Sequence, residues 1–270
     1  MTDTPKPRRV STAILSVVTI GALVVSGVAI YRSGHNPAAS SCRVDVSGTT
    51  YVLDPDQATN ATTITAVGKR LGLPDHAVTI ALAAAMQESK LHNLASGDRD
   101  SLGLFQQRPS QGWGTASQVQ DPVYAATAFF THLAKVDGWE NLQVTTAAQQ
   151  VQRSSAPSAY AAWEPEARAV ARATTGEVPA ALTCRASAPH ASAVDPGLQT
   201  TMNTELGAVD LTRALPTGRG WTVATWLVAH AHRFGISAVT FDGSRWTQSS
   251  ARWSPHSPAV AQVEIVRTPA

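Results

Sequence analysis

The most constraining feature of this chain is an apolar stretch, residues 77–86, that is followed closely by a single carboxylate, Glu88. The stretch is rich in alanine and contains no charged residue, which predicts an apolar helix. A polar loop that contains Gly97 follows, and then the segment Gly-Leu-Phe-Gln at residues 103–106. A single carboxylate at the end of an apolar helix is a typical setting for a proton donor, so Glu88 is the first candidate catalytic residue.

Helical patterns surround this segment, and a short strand pattern precedes them. Apolar residues recur at helical spacing in five segments, which predicts helices at residues 56–71, 75–88, 123–136, 145–153 and 160–173. Residues 42–46 and 50–53 alternate around a Ser47-Gly48 turn, which predicts a hairpin. The sequence therefore predicts a compact, mainly α domain with a small β element over residues 42–184.

The N-terminus has the composition of a membrane anchor. Residues 1–10 are basic, and residues 11–30 contain no charge and are long enough to cross a hydrocarbon core of about 30 Å as a helix. The basic flank favours a cytoplasmic N-terminus, with the rest of the chain outside. A cleaved signal peptide is the alternative, but the run is long for one. We predict a cytoplasmic segment 1–10, a transmembrane helix 11–30 and a linker 31–41, and hence a single-pass protein of the cell membrane with extracytoplasmic domains.

Two cysteines, Cys42 and Cys184, bracket the domain that contains Glu88. In an oxidising compartment a disulfide between them would close a loop over nearly the whole domain. Such a loop removes unfolded-chain entropy worth about 4–5 kcal/mol in the chain-entropy model. The alternative is two unrelated thiols, but a pair is favoured in an exported chain with two cysteines.

The character of the sequence changes after residue 184. Residues 185–197 contain almost no large apolar side chain and predict a second linker. A small α+β domain is predicted over residues 198–270, with helices at 198–208 and 221–234 and strands at 236–241, 245–247 and 261–266. It contains Trp221, Trp226, Trp246 and Trp253. These tryptophans fit either a substrate-docking module or a core built on large aromatic residues.

The pair Glu88-Ser89 and the segment 103–106 together resemble the signature of the soluble lytic transglycosylases and their lysozyme-like relatives, in a membrane-anchored actinobacterial form. Those enzymes cleave the glycan strands of peptidoglycan. The resemblance covers roughly residues 60–173 and implies a lysozyme-like fold with Glu88 as the catalytic acid. It also implies that Gln106 lies along the cleft and that Ser89 orients the glycan and the acid. For Ser89 the alternative is a hydroxyl that bonds to the local backbone.

The chain departs from the family pattern at a third motif, Ala-Tyr-Asn. The corresponding helix reads Ala147-Ala148-Gln149-Gln150, in which Gln149 takes the place of the Asn and no Tyr is present. This departure leaves open a protein that binds glycan and turns over slowly. The product chemistry is open for the same reason.

The loop at residues 97–100 supplies two further carboxylates, Asp98 and Asp100. Transglycosylases use one carboxylate and the acetamido group of the substrate, which gives an anhydro sugar. An inverting hydrolase needs a second carboxylate to activate water, and Asp98 or Asp100 is a candidate for that base. The alternative is that these acids hold the loop in place.

Trp113 lies in the turn-rich segment 107–114. Aromatic faces stack on pyranose rings, so Trp113 is a candidate substrate-binding residue. The alternative is an apolar side chain packed beneath a loop.

Several other function classes find no support in the sequence. A net charge of +2 without clustered basic and aromatic residues makes nucleic acid an unexpected partner. His230 and His232 are two residues apart, which does not suit a helical metal pair, so we expect no metal and no cofactor. No protein partner is indicated.

The sequence thus predicts a membrane-anchored extracytoplasmic enzyme that cleaves peptidoglycan glycan strands with Glu88 as acid and base. The alternative is a non-catalytic peptidoglycan-binding or scaffold protein that retains the lysozyme-like cleft.

Overall fold

The computed structural model describes residues 40–154, 156, 158–185 and 197–267. These residues belong to one compact unit. The predicted cytoplasmic segment 1–10, the predicted transmembrane helix 11–30 and almost all of the linker 31–41 lie outside them. Within the described ranges, none of the helices combines the length and the apolar character that crossing a membrane requires.

The described residues form nine α-helices, three short 3-10 turns and seven strands. The helices are α1 (Pro55–Arg70), α2 (Asp75–Ser89), α3 (Ala116–Val119), α4 (Pro122–Leu133), α5 (Val144–Gln152), α6 (Glu164–Thr174), α7 (Leu198–Leu206), α8 (Thr217–Ala229) and α9 (Ala231–Phe234). The 3-10 turns are Pro109–Gln111, Trp139–Asn141 and Ala159–Trp163. The strands are β1 (Ser41–Val46), β2 (Thr49–Leu53), β3 (Leu182–Arg185), β4 (Ile236–Phe241), β5 (Ser244–Thr247), β6 (Arg252–Pro255) and β7 (Glu264–Arg267).

The first sheet is antiparallel, with the strand order β2-β1-β3. Its register sets Cys42 opposite Cys184 on neighbouring strands, and the two residues form a disulfide. The predicted disulfide is therefore confirmed. It joins residues 142 positions apart and fastens β3 to the hairpin at the start of the domain.

Helix α2 lies at the centre of the core. Residues 77–86 are all 2% exposed or less, as the apolar composition of this stretch predicts. Its small alanine side chains allow close approach of α5 and α6, which pack against α2. The helix ends where Lys90 adopts a left-handed conformation. Glu88, in the last turn, is partly exposed, so α2 carries a carboxylate from the core to the surface.

The second sheet is antiparallel and has the strand order β6-β5-β4-β7. Helix α8 packs against β4, α1 and β3. Trp221, Trp226 and Trp246 are at most 2% exposed, so these tryptophans belong to the core. The segment predicted as a single helix at 221–234 is divided at His230, and Gly235 ends α9 in a left-handed conformation.

Side chains on the two sides of the predicted linker 185–197 are in direct contact. The indole of Trp253 donates to the carbonyl of Leu182 at 2.8 Å, and the hydroxyl of Thr222 donates to the carbonyl of Thr175 at 2.9 Å. Most of the linker, residues 186–196, lies outside the described residues. The division into domains 42–184 and 198–270 stays a prediction, while the described residues of both segments share one hydrophobic core.

Candidate active site

Glu88 projects from the last turn of α2 and meets a tyrosine from another part of the chain. The phenol of Tyr160 donates a hydrogen bond of 2.7 Å to Oε1 of Glu88. Tyr160 belongs to the 3-10 turn Ala159–Trp163, and the whole residue is buried at 0% exposure. The carboxylate is therefore held from the protein side while Glu88 remains partly accessible.

The environment of Tyr160 keeps its phenol protonated. Burial is the largest cause that raises the pKa of Tyr160 far above its usual value, and the negative charge of Glu88 and the hydrogen bond to it act in the same direction. A hydrogen bond from Ser154 acts against them, with a smaller effect. Tyr160 therefore remains a hydrogen-bond donor to Glu88 at any pH near neutrality.

An aromatic residue and a cation contact each other at the end of α2 that carries Glu88. The indole of Trp163 donates to Oε1 of Gln87 at 2.8 Å, and the ammonium of Lys90 lies 4.2 Å from the centroid of the Trp163 ring. Burial lowers the pKa of Lys90, while the negative charge of Glu88 raises it. Lys90 and Trp163 thus form a rim beside Glu88 that combines positive charge with an aromatic surface.

Ser89 connects α2 to the turn at residues 103–106. Its hydroxyl is within hydrogen-bond distance of two carbonyls, that of Leu104 at 2.7 Å and that of Ala85 at 3.1 Å, and the residue is 5% exposed. These are the contacts of a hydroxyl that bonds to the backbone. Ser89 therefore fixes the position of the turn relative to the helix end that carries Glu88.

The turn is also held by its glycine and by α5. Gly103 has φ +77°, and a Cβ on it would lie 2.1 Å from the carbonyl oxygen of Val119, so a larger residue would displace the backbone. The amide of Gln152 donates to the carbonyl of Phe105 at 2.8 Å. The turn is thus fixed on several sides.

Gln106 ends this turn with a left-handed backbone, φ +48°. Its side-chain amide donates to the carbonyl of Gly103 at 3.3 Å. A Cβ added to Gly97 would lie only 1.7 Å from Oε1 of Gln106. The loop at residues 97–100 therefore packs its backbone directly onto the Gln106 amide, which explains a glycine at position 97.

Gln149 is connected to Glu88 indirectly, through a series of hydrogen bonds. Its amide donates to the carbonyl of Ser154 at 2.8 Å. Ser154 forms a side-chain hydrogen bond with Tyr160, which in turn donates to Glu88. The buried Oε1 of Gln149 has no hydrogen-bond partner among the described residues. In this arrangement Gln149 supports the segment before Tyr160.

The two acids of the loop have different surroundings. Asp100 accepts hydrogen bonds from Nε of Arg108 at 2.7 Å and from the amide and hydroxyl of Ser110 at 2.7 and 3.0 Å. The Ser110 amide is the largest cause, ahead of Arg108 and the Ser110 hydroxyl, that holds the pKa of Asp100 well below its usual range. Asp98 is 93% exposed, 3.9 Å from Arg99. Asp100 therefore fastens the loop to residues 108–110.

Trp113 packs against α4. Its ring centroid lies 4.1 Å from that of His132, with the planes tilted by 36°. Next to it, Gly114 lies so close to the ring of Tyr124 that a Cβ would be 2.6 Å from the phenol oxygen. Trp113 is partly exposed, so its packing on His132 leaves part of its surface accessible.

Tyr160 is the residue that sequence reasoning missed as a member of the site. The motif of the resembled enzymes predicts a tyrosine on the helix that corresponds to α5, where this chain has Gln149. The tyrosine that contacts Glu88 belongs to the 3-10 turn before α6, at the start of the segment predicted as the last helix of the domain. A tyrosine at that helix start, on the far side of a Ser-Pro-containing break, was the available signal.

Metal chemistry has no candidate site in the part of the chain that the structure describes. There, no group of three or more His, Cys, Asp or Glu side chains is arranged to hold a metal ion.

No protein-family model matches the chain, and no curated protein matches it at a significant level.

Proposed function

We propose that this protein cleaves the glycan strands of peptidoglycan and that Glu88 is its general acid and base. The observation that carries the proposal is the 2.7 Å hydrogen bond from the buried phenol of Tyr160 to Glu88. It places an oriented and partly accessible carboxylate at the end of a buried helix. The tie from Ser89 to Leu104 sets the turn at residues 103–106 beside that helix end. The resemblance to the lytic transglycosylases supplies the substrate class.

The proposed reaction begins with proton transfer from Glu88 to the glycosidic oxygen between N-acetylmuramic acid and N-acetylglucosamine. Tyr160 engages Oε1, which sets the direction of the carboxyl group and leaves Oε2 for the substrate. General acid catalysis of this kind contributes roughly 10²–10⁴-fold to a rate. Lys90 and Trp163 are positioned to contact the sugar or its substituents on the same side.

A single carboxylate favours assistance by the substrate. Asp100 is occupied by Arg108 and Ser110, and Asp98 extends into solvent. Neither arrangement supports a base that holds an attacking water opposite Glu88. In the proposed reaction the acetamido oxygen attacks the anomeric carbon as the leaving group departs. A hydroxyl of the same sugar then attacks the anomeric carbon, the bond from that carbon to the acetamido oxygen breaks, and the Glu88 carboxylate takes the proton of the hydroxyl as the anhydro ring closes.

We place this activity outside the cytoplasmic membrane. The proposed anchor is residues 11–30, and the proposed partners are the membrane and the glycan strands. The disulfide between Cys42 and Cys184 supports an oxidising compartment, because such bonds persist mainly in exported proteins.

The proposal is tested by digestion of purified peptidoglycan with the full-length chain and with its Glu88→Gln variant, followed by mass spectrometry of the soluble products. We expect anhydro-muropeptides from the native chain and at least a 10²-fold lower yield from the variant. Equal circular dichroism and thermal midpoints would show that both proteins are folded.

The remaining outcomes decide between the alternatives. Products with reducing ends would show that the enzyme is a hydrolase and does not use assistance by the substrate. Asp98 would then be the candidate for the base that activates water. If both proteins sediment with the wall and neither releases soluble products, the chain is a non-catalytic wall-binding protein and the proposed enzyme is wrong.

A further inference from the structure

A second cleft lies at the other end of α2 from Glu88. It has a volume of about 650 Å³ and forms where the ends of α1 and α7 meet the starts of α2 and α8. Clefts that bind small ligands commonly enclose about 300–1,000 Å³. A helix of 15 residues is roughly 20 Å long, so this cleft is well separated from the candidate active site.

The two acids in the cleft already have partners. Asp75 accepts hydrogen bonds from the ammonium of Lys69 at 2.8 Å and from the hydroxyl of Thr175 at 2.9 Å. Glu177 accepts one from Arg172 at 2.7 Å and lies 3.5 Å from Arg168. These carboxylates are therefore neutralised within the protein.

Two of the cations in the cleft differ from the acids in this respect. Arg219 and Arg70 have no carboxylate within 4 Å among the described residues. The Arg219 guanidinium donates to the carbonyl of Leu206, which uses one of its five N–H groups. Its partial burial lowers the pKa of Arg219, because burial disfavours the charged form.

The charge of the lining favours an anionic ligand. Asp75 is paired with Lys69, and Glu177 is paired with Arg172 and Arg168 from outside the lining, so the positive charges of Arg70 and Arg219 remain for a ligand. A planar carboxylate pairs with a guanidinium through two parallel hydrogen bonds. Phosphate also pairs with guanidinium groups, so it is the competing ligand that the test has to separate.

We propose that this cleft binds the carboxylate of a short peptide, with Arg219 as its main contact and Arg70 in support. The peptide stems of peptidoglycan are the source that we favour, a choice that rests on the proposed function. Such a site would let the protein engage a stem peptide at one end of α2 while Glu88 acts on glycan at the other. Strands that carry peptides would then be held more tightly than bare glycan.

The experiment is calorimetric titration of the full-length chain with acetyl-D-alanyl-D-alanine, with the C-terminal amide of the same peptide, and with inorganic phosphate. We expect the free acid to bind, and the amide and phosphate to bind at least 10-fold more weakly. Arg219→Gln should weaken binding of the acid at least 10-fold. Arg219→Lys keeps the charge but cannot form the planar pair of hydrogen bonds, so its affinity for the acid should lie between those of the native chain and Arg219→Gln.

Two further variants protect the test against misfolding. Arg70→Gln alters an exposed side chain at the end of α1 and should weaken binding severalfold. Gly218 lines the cleft and has no atom within 4 Å of the place where a Cβ would be, at a φ that other residues adopt. Gly218→Leu should therefore fill the cleft and abolish binding without a change of charge. Arg213→Gln, an exposed site outside the lining, is the matched control and should bind as the native chain does.

Equal binding of acid and amide, or no loss of binding in the Arg219, Arg70 and Gly218 variants, would overturn the proposal. Tighter binding of phosphate than of the acid would also overturn it and would assign the cleft to a phosphate ligand. Failure of the proposed function is distinguishable, because the Glu88→Gln protein should bind the peptide as the native chain does. Peptide binding by a chain that releases no wall product would support the site and remove its link to glycan cleavage.

Discussion

Two glutamates in this protein accept a hydrogen bond from an aromatic side chain at the same distance, yet their surroundings differ. Glu88 accepts from the phenol of Tyr160 at 2.7 Å, and Glu205 accepts from the indole of Trp226 at 2.7 Å. Glu88 is partly exposed, whereas Glu205 is 7% exposed. The aromatic donor alone therefore does not distinguish a catalytic carboxylate from a structural one.

The number of partners separates the two residues. Oε2 of Glu205 accepts a second bond from the hydroxyl of Thr63 at 2.7 Å and lies 3.9 Å from Nε2 of His230. These contacts join α1, α7 and α8 around one buried oxygen. Among the described residues, Glu88 accepts one such bond, at Oε1, and the residue is partly exposed. A carboxylate that is oriented but accessible suits chemistry, while one that is enclosed by donors holds helices together.

The largest effect that follows from this comparison is on stability, at Glu205. Glu205→Ala leaves the Thr63 hydroxyl and the Trp226 indole buried without their acceptor and creates a cavity between three helices. We expect the free energy of unfolding to fall by about 3–5 kcal/mol. Urea unfolding followed by tryptophan fluorescence would measure it.

Matched variants sharpen this expectation. Glu205→Gln keeps an acceptor oxygen and should lose clearly less stability than the alanine variant. Glu88→Ala leaves the buried Tyr160 hydroxyl without its acceptor and should lower the free energy of unfolding by about 1–3 kcal/mol, which is less than the loss in Glu205→Ala. Equal losses at positions 88 and 205 would contradict the distinction between the two glutamates.

A smaller effect, on activity, is expected at Tyr160. Tyr160→Phe keeps the buried ring and removes only the hydroxyl that orients Glu88. A hydrogen bond to a charged group contributes about 1.5–3 kcal/mol, so the rate of glycan cleavage should fall roughly 10–100-fold. The loss should lie in kcat, with KM nearly unchanged, because the hydroxyl faces the carboxylate and not the substrate.

Tyr124→Phe is the control for this change, since the Tyr124 phenol lies against Gly114. It should retain nearly native kcat. If Tyr160→Phe cleaved glycan as fast as the native chain, the 2.7 Å bond would be a packing contact, and Glu88 would resemble Glu205 after all.

The sequence predicted most helices of this fold because their signals are local. The apolar run at residues 77–86 lies in a helix as predicted, and α1 and α4 lie within a few residues of the ranges that the pattern predicts. The strands β3 and β6 were not predicted. Each has four residues and pairs with a distant or weakly patterned partner, so tertiary pairing decides their conformation.

The candidate site was predictable in part. The motif residues identified Glu88 and the turn at residues 103–106, because their spacing is a property of the sequence. The contact between Glu88 and Tyr160 joins residues 72 positions apart, and no local pattern encodes it. The bonds of Ser89 and Asp100 to backbone groups likewise depend on the tertiary position of the loop, which no local pattern encodes.

The smallest effect is a pH dependence of the stability, and it arises from His230, which lies beside the buried Glu205. Burial is the largest cause that lowers the pKa of His230, and Arg233 acts in the same direction, while the Glu205 charge and the bond to the Trp226 carbonyl oppose them. Below about pH 6.5 an unfolded histidine binds a proton that the folded His230 excludes. This part of the stability is therefore complete above pH 6.5 and is lost as the pH falls toward the lowered folded pKa, by at most about 1.4 kcal/mol per pH unit.

Unfolding free energies of the native chain and of His230→Phe, measured from pH 7.5 to pH 5, test this dependence. The phenyl ring keeps the stacking on Trp226, whose centroid lies 3.9 Å from that of His230, and cannot titrate. We expect the variant to lose less stability on acidification than the native chain does, while His232→Gln, at an exposed neighbour, follows the native curve. Parallel curves for the native chain and His230→Phe would mean that the folded protein protonates His230 as readily as the unfolded chain does. Burial would then not protect the surroundings of Glu205 from protonation. The distinction between Glu205 and Glu88 would rest on the number of their hydrogen-bond partners alone.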